Sequence, residues 1–341
     1  MTRPKMLQPL GVGLLLLCVL GLATGLTSGR QPSKPVEADA SSVVGPRRCA
    51  ECHEEENRTW LETGHHQGFK TLARLPEARA MSKALGIRRL KREARCIGCH
   101  FTEQWTDENQ SKVIAGVSCE SCHGAGADWL DSHADYGKDG KTRATETMEH
   151  KVARLKACAE SGMRGPANLY ELAARCYDCH LMVDEELHAA GHSVGAGFEL
   201  GTALQGKVRH NFVRGEGVNA TASLERQRVL FLLGTLLEVQ FTMRAVESLE
   251  PESPIASVVV ERARLGRRAL VNVAGLIAAP AFEELLAILP EEEDLVPRNP
   301  KLEGGAQAAE RVARWLCLEG DGAQFGALDE LVQEAAAKAE R

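Results

Sequence analysis

Aromatic residues are scarce in this chain, 4% of 341 residues, although 44% are hydrophobic. A core built from aliphatic side chains alone would be short of large flat apolar surface, which planar prosthetic groups can supply. An excess of positive charge is also lacking. Lys and Arg number 41 against 47 Asp and Glu, a formal charge of -6, which argues against the broad basic footprint of a nucleic-acid partner. Beyond Thr221 the chain has no histidine and no cysteine pair. Long apolar runs are few, and the one from Leu10 to Leu22, preceded by Arg3 and Lys5, is short for a membrane span.

That run and its flanks, residues 1–29, read as an export signal or, because no tidy small-x-small cleavage site follows, as an N-terminal anchor. Cys18 lies inside it without the small residues that precede a lipidated cysteine. Residues 30–45, rich in Pro, Ser and Ala, read as a flexible linker. The expected location is periplasmic, with possible membrane anchoring.

Cysteine is unevenly spread. Eight of the 11 fall in four pairs between residues 49 and 179, while Cys158 and Cys317 stand alone. This divides the chain into a Cys-, His- and Gly-rich domain, 46–212, and a second domain, 213–341, with strong helical periodicity. In the second, Ser223 caps a helix carrying Val229, Leu232, Leu233, Leu236, Leu237 and Phe241. Pro251 and Pro254 separate it from a run from Ile255 to Ile277. Stretches at Phe282–Leu289, Ala306–Leu318 and Leu328–Ala339 complete a helical bundle. In the first domain, short helices are expected at Arg88–Arg95 and Leu169–Ala174. No segment shows a convincing strand alternation.

The four pairs are Cys49-Ala-Glu-Cys52-His53, Cys96-Ile-Gly-Cys99-His100, Cys119-Glu-Ser-Cys122-His123 and Cys176-Tyr-Asp-Cys179-His180. Each is C-x-x-C-H, the attachment signature of c-type heme. On one helical turn, cysteines three apart share a face and can reach the two vinyl groups of one porphyrin. The adjacent histidine supplies the proximal iron ligand. A zinc ribbon or a disulfide framework could use the same pairs, but would not require a histidine directly after each. Four covalently bound heme c groups are expected, too close together for the polypeptide to insulate them.

Seven histidines remain for the sixth iron positions: His65, His66, His133, His150, His188, His192 and His210. His66 points away from its neighbour, and His150 and His188 lie in charged stretches, so these three rank as ordinary surface or core residues. Methionine ligation by Met81, Met148, Met163 or Met182 is disfavoured by the surplus of histidine. Trp60, Trp105 and Trp129 follow heme motifs and are expected against porphyrin faces.

The segment Cys49–Phe69, with Trp60 and Thr63-Gly64-His65, resembles the first heme segment of the tetraheme cytochrome c-554 family, electron acceptors of hydroxylamine oxidoreductase. Gly116-Val117-Ser118-Cys119-Glu120-Ser121-Cys122-His123-Gly124, followed by His133, is similar to that family's third heme segment, and Arg175–Leu181 to its fourth. The resemblance covers residues 46–212. It implies crossed ligation, with His65 capping the third heme, His133 the first and His210 the fourth, and a second heme without a sixth protein ligand. Ala190-Gly191-His192-Ser193 departs from that pattern. His192 could cap the second heme, line an open distal pocket, or replace His210.

The expected fold class is all-α, a multiheme cytochrome c module with little regular sheet packed against a C-terminal helical bundle. The expected function is electron transfer between redox protein partners, with no residue in acid or base catalysis. The alternative is a heme enzyme acting on a small nitrogen or sulfur species at an open second heme, and a third reading makes the bundle an anchor in a larger respiratory complex. Cys158 and Cys317 are read either as a disulfide or as free thiols.

Overall fold

The computed structural model describes residues 39–106, 110–195, 197–206 and 208–339. The expected export signal, most of the linker and Cys18 lie outside these residues. The elements described below all fall within the compact unit of residues 31–341.

The first part is a chain of short helices. Helix α1 (Pro46–Ala50) carries Cys49, with Cys52 and His53 in the turn beyond it, and α2 (Glu54–Leu61) and α3 (Gly64–Thr71) follow. Pro46 at the first turn suits a helix start, where its missing N–H would have had no partner. Thr63 caps α3 by accepting from His66 N, which fixes where His65 leaves the backbone. Helix α4 (Pro76–Ala84) leads to α5 (Ala94–His100), which holds the whole second motif. The expected helix at Arg88–Arg95 is instead a single 3-10 turn, Leu90–Arg92, ended by an extended Glu93. Five basic residues within eight repel one another in a continuous helix.

A hairpin of β1 (Thr102–Trp105) and β2 (Ser111–Ala115) is the one sheet among the described residues. Its antiparallel register pairs Thr102 with Ala115 and Trp105 with Ser111. The strands are too short to show alternation in sequence, and β2 delivers the chain to α6 (Cys119–His123), the third motif. Helices α7 (Met148–Glu160) and α8 (Leu169–His180) follow, and α8 ends in the fourth motif. Short helices α9 (Glu185–Ala189) and α10 (Leu200–Gln205) flank the His192 loop.

The second part is the helical bundle: α11 (Leu224–Ser248), α12 (Ala256–Leu276), α13 (Pro280–Ile288), α14 (Lys301–Glu319) and α15 (Asp329–Ala339). Ser223 caps α11 by accepting from Arg226 N, as its sequence context requires. Leu232, Leu233, Leu236 and Leu237 are fully buried where α11 packs on α12 and α14. Among the described helices α11 is the one long and apolar enough to cross a membrane, yet its most apolar window is 72% buried, the pattern of a core helix.

The apolar core does not stop at residue 212. Leu169, Tyr170, Ala173 and Tyr177 of α8 belong to the same cluster as the bundle. Tyr177, inside the fourth motif, donates to Gly234 O at 2.9 Å, and Tyr170 pairs with Gln240. The protein is therefore mostly α-helical, with one small hairpin, and α8 links heme motif to bundle.

Candidate heme-binding site

Each of the four C-x-x-C-H segments lies on or beside a helical turn, so the two sulfurs of each motif project from one face. All eight motif cysteines line a single cavity of about 2240 Å³. Protein interiors are packed to crystal-like density, and pockets for single small ligands run to about 1,000 Å³. A space of this size, with its walls studded by thiols, calls for several large planar groups.

Histidines sort themselves around this cavity. His53, His65, His100, His123, His133, His180, His192 and His210 line it, whereas His66, His150 and His188 do not. His66 packs edge-on against Trp60 at 4.5 Å, His150 Nδ1 bonds Glu146 at 2.7 Å, and His188 Nδ1 bonds the carbonyl of His192 at 3.2 Å.

The eight lining histidines face one another in pairs. Ring centroids are 6.2 Å apart for His53 and His133, 6.2 Å for His65 and His180, 6.0 Å for His100 and His192, and 6.0 Å for His123 and His210. Two metal–imidazole bonds of about 2 Å each take up about 4 Å of such a gap. The remainder is the distance from each coordinating nitrogen to its ring centre. One iron fits between each pair, and every pair contains one motif histidine and one outside the motifs.

Three placements differ from the pattern implied by the family resemblance, one of them His192 opposite His100, where that pattern has no sixth protein ligand. His65 faces His180 of the fourth motif rather than His123, and His210 faces His123 rather than His180. His133 faces His53, and His192 faces His100. Segments far apart in sequence meet at each site, so spacing along the chain carries no information about which meets which.

The tautomers suit metal binding. Nδ1 of His123 bonds Arg164 O at 2.8 Å, that of His192 bonds Ser193 O at 2.8 Å, and that of His210 bonds Val208 O at 2.7 Å, while His133 Nδ1 bonds Leu130 O. A proton held on Nδ1 by a carbonyl leaves the Nε2 lone pair for a metal. Burial pushes the titration of His100 and His180 down to about 4 and lowers that of His65 and His123. All four are thus neutral imidazoles at neutral pH. Trp129 Nε1 and Arg209 Nε are buried without a protein acceptor on residues that line the cavity, donors suited to heme propionates.

Arginines and glycines hold the backbones of the cavity-lining histidines and cysteines. Arg154, paired with Glu146 at 2.6 and 2.7 Å, donates to His133 O. Arg164 donates to Cys122 O at 2.9 Å. A Cβ on Gly116 would lie 2.2 Å from His65 O, so only glycine lets β2's exit pass the His65 turn. Glu120, within the third motif and 1% exposed, accepts from Val44 N, Gly45 N and Gly126 N at 2.9, 2.7 and 2.8 Å. Its role was not legible in sequence, because its partners lie 75 residues away or on an unrelated glycine turn.

One expectation needs correction, and one open alternative is resolved. Trp105 sits on the hairpin, 49% exposed and away from the cavity lining. Trp60 and Trp129 do line it, the former donating to Val117 O at 2.9 Å. Cys158 and Cys317 are free thiols in the structure. Cys158 is fully buried with its sulfur 3.5 Å from Ser132 Oγ.

Helical turns that present paired thiols and a histidine to a common cavity, faced by further histidines, define a c-type cytochrome with covalently bound heme. Residues 48–124 match the family described as cytochrome c554 and c-prime. The chain is also 29% identical over 163 residues to cytochrome c-554 of Nitrosomonas europaea, an alignment covering 46% of this chain and 63% of that protein. The chain is thus similar to the cytochrome c-554 family over its heme-attachment segment, and it spans less than two thirds of the length of the curated relative it matches. No solved structure matches it.

Proposed function

We propose that the protein is a periplasmic electron carrier holding four heme c groups, each tied by one cysteine pair and ligated by two histidines. Cys49 and Cys52 would hold the first, with His53 and His133 as iron ligands. Cys96 and Cys99 would hold the second between His100 and His192, Cys119 and Cys122 the third between His123 and His210, and Cys176 and Cys179 the fourth between His180 and His65. Bound heme c supplies reversible one-electron chemistry at low potential when both axial ligands are imidazole. The chain contributes spacing, burial and ligand orientation.

The observation that carries this reading is the set of four histidine pairs at 6.0 to 6.2 Å, one per motif. Contacts between the attachment helices give the order of the sites. Helix α1 packs on α6, α6 on α8 and α8 on α5, and Cys179 Sγ lies 4.0 Å from Gly98 O inside the second motif. The sites therefore neighbour one another in the order first, third, fourth, second, a continuous route for electrons with two ends.

The pairing of His100 with His192 argues against the enzyme reading, which needs an open position at the second heme. Redox protein partners would meet the chain at the ends of the route, the first and second sites. Mass spectrometry of the denatured mature protein should show four heme additions. Fewer than four, or a colourless chain, would remove this function.

A further inference from the structure

We propose that Arg262 of the C-terminal bundle is a positioning residue that holds His192 over the second heme site, so that the bundle keeps that site closed. The inference rests on the ligand set above and concerns the loop that presents one of its members. His192 sits between exposed Gly191 and exposed Ser193. Its ring has one hydrogen bond of its own, to the neighbouring Ser193 carbonyl, which orients the ring without tethering the loop. The near side of the loop is tied to α9, His192 N donating to Leu187 O at 2.9 Å and His188 Nδ1 bonding His192 O at 3.2 Å, and the far side is anchored at Val194, which is 3% exposed.

Arg262, on α12 and 8% exposed, donates from Nη1 to Val194 O at 2.7 Å and to His180 O at 2.8 Å. Its Nε and Nη2 are occupied by Glu238 of α11 at 2.7 and 2.8 Å. The bidentate carboxylate fixes the guanidinium plane, and the remaining nitrogen staples the His192 loop to the carbonyl of a proximal histidine. Gly195, at φ +78°, completes the contact, since a Cβ there would lie 2.0 Å from His180 O. The His133 loop, by contrast, is braced by Arg154 and Glu146 from the heme-binding part itself. Loss of Arg262 leaves two buried carbonyls and the Glu238 carboxylate without their donor, and the loop can then leave the site.

The test compares wild type, His192→Ala, Arg262→Met and the double variant as intact, heme-loaded chains. Heme content is read by pyridine hemochromogen, spin state by electron paramagnetic resonance of the oxidised protein, and access by carbon monoxide binding after reduction. Wild type should be wholly low-spin and bind no carbon monoxide. His192→Ala should show one high-spin iron and bind one carbon monoxide. Arg262→Met should gain the same signal with all four hemes retained, and the double variant should gain nothing further. If wild type is already high-spin at one iron, or His192→Ala changes nothing, the ligand assignment at the second heme fails and the brace with it. If His192→Ala opens the site while Arg262→Met stays low-spin, or if the double variant opens a second iron, the brace alone is wrong. Should Arg262→Met fail to accumulate, Gly195→Ala forces the loop away from His180 O and Arg262 Nη1, which its Cβ would meet at 2.0 and 3.2 Å, and an unchanged low-spin spectrum there overturns the proposal.

Discussion

At the scale of residues, the buried charges close to heme motifs serve geometry. Glu120 spends its carboxylate on three backbone N–H groups, joining residues 44–45, the third motif and the Gly126 turn. Removing it leaves three buried donors without an acceptor, each costing about 1–3 kcal/mol. Glu120→Ala is therefore expected to lower unfolding stability by about 3–5 kcal/mol, measured by denaturant titration. A loss under 1 kcal/mol would mean that water replaces the carboxylate. None of this was visible in the sequence, where Glu120 is one variable position within C-x-x-C-H. The C-x-x-C-H motifs were legible because each is complete within five consecutive residues.

At the scale of elements, helix starts were written locally and ligand loops were not. Ser223 marks the start of α11 through a hydrogen bond three residues long. The His133 loop depends on α7 through Arg154 and Glu146. Hydrogen bonds from Arg154 and from His150 hold Glu146 down at about 2 against an ordinary value of 4.5. A carboxylate depressed in the folded state stabilises it above its unfolded pKa, and that contribution is lost as pH falls through the folded value. The stability difference between wild type and Glu146→Gln should thus be constant above about pH 5 and shrink from there toward pH 2. Thermal unfolding followed across that range measures it, and a pH-independent difference would contradict the assigned pair.

At the scale of the whole molecule, the two parts differ in what fills them. The bundle is closed by its own leucines, with Leu232, Leu233, Leu236 and Leu237 fully buried. The heme-binding part surrounds a cavity of about 2240 Å³ that is partly open and is lined also by Arg226 and Leu230 of α11. Dense packing is a condition of stability, so this part is expected to need its cofactors to fold. Protein made without heme attachment should be cut rapidly by protease within residues 46–212 and more slowly within α11–α14. Uniform resistance along the chain would show that the cavity collapses to a folded apo form.

The sequence by itself determined the helical class, the four C-x-x-C-H motifs and the helices of the bundle, because each is encoded within a few turns of chain. Only the tertiary structure decided that His65 faces His180, that His210 faces His123 and that Arg262 reaches the His192 loop. Those meetings join segments 68 to 115 residues apart, counting from Val194 to Arg262 and from His65 to His180. Spacing cannot encode a contact whose loop closure costs nearly the same free energy for many alternative partners. The choice among partners is made when the whole core packs.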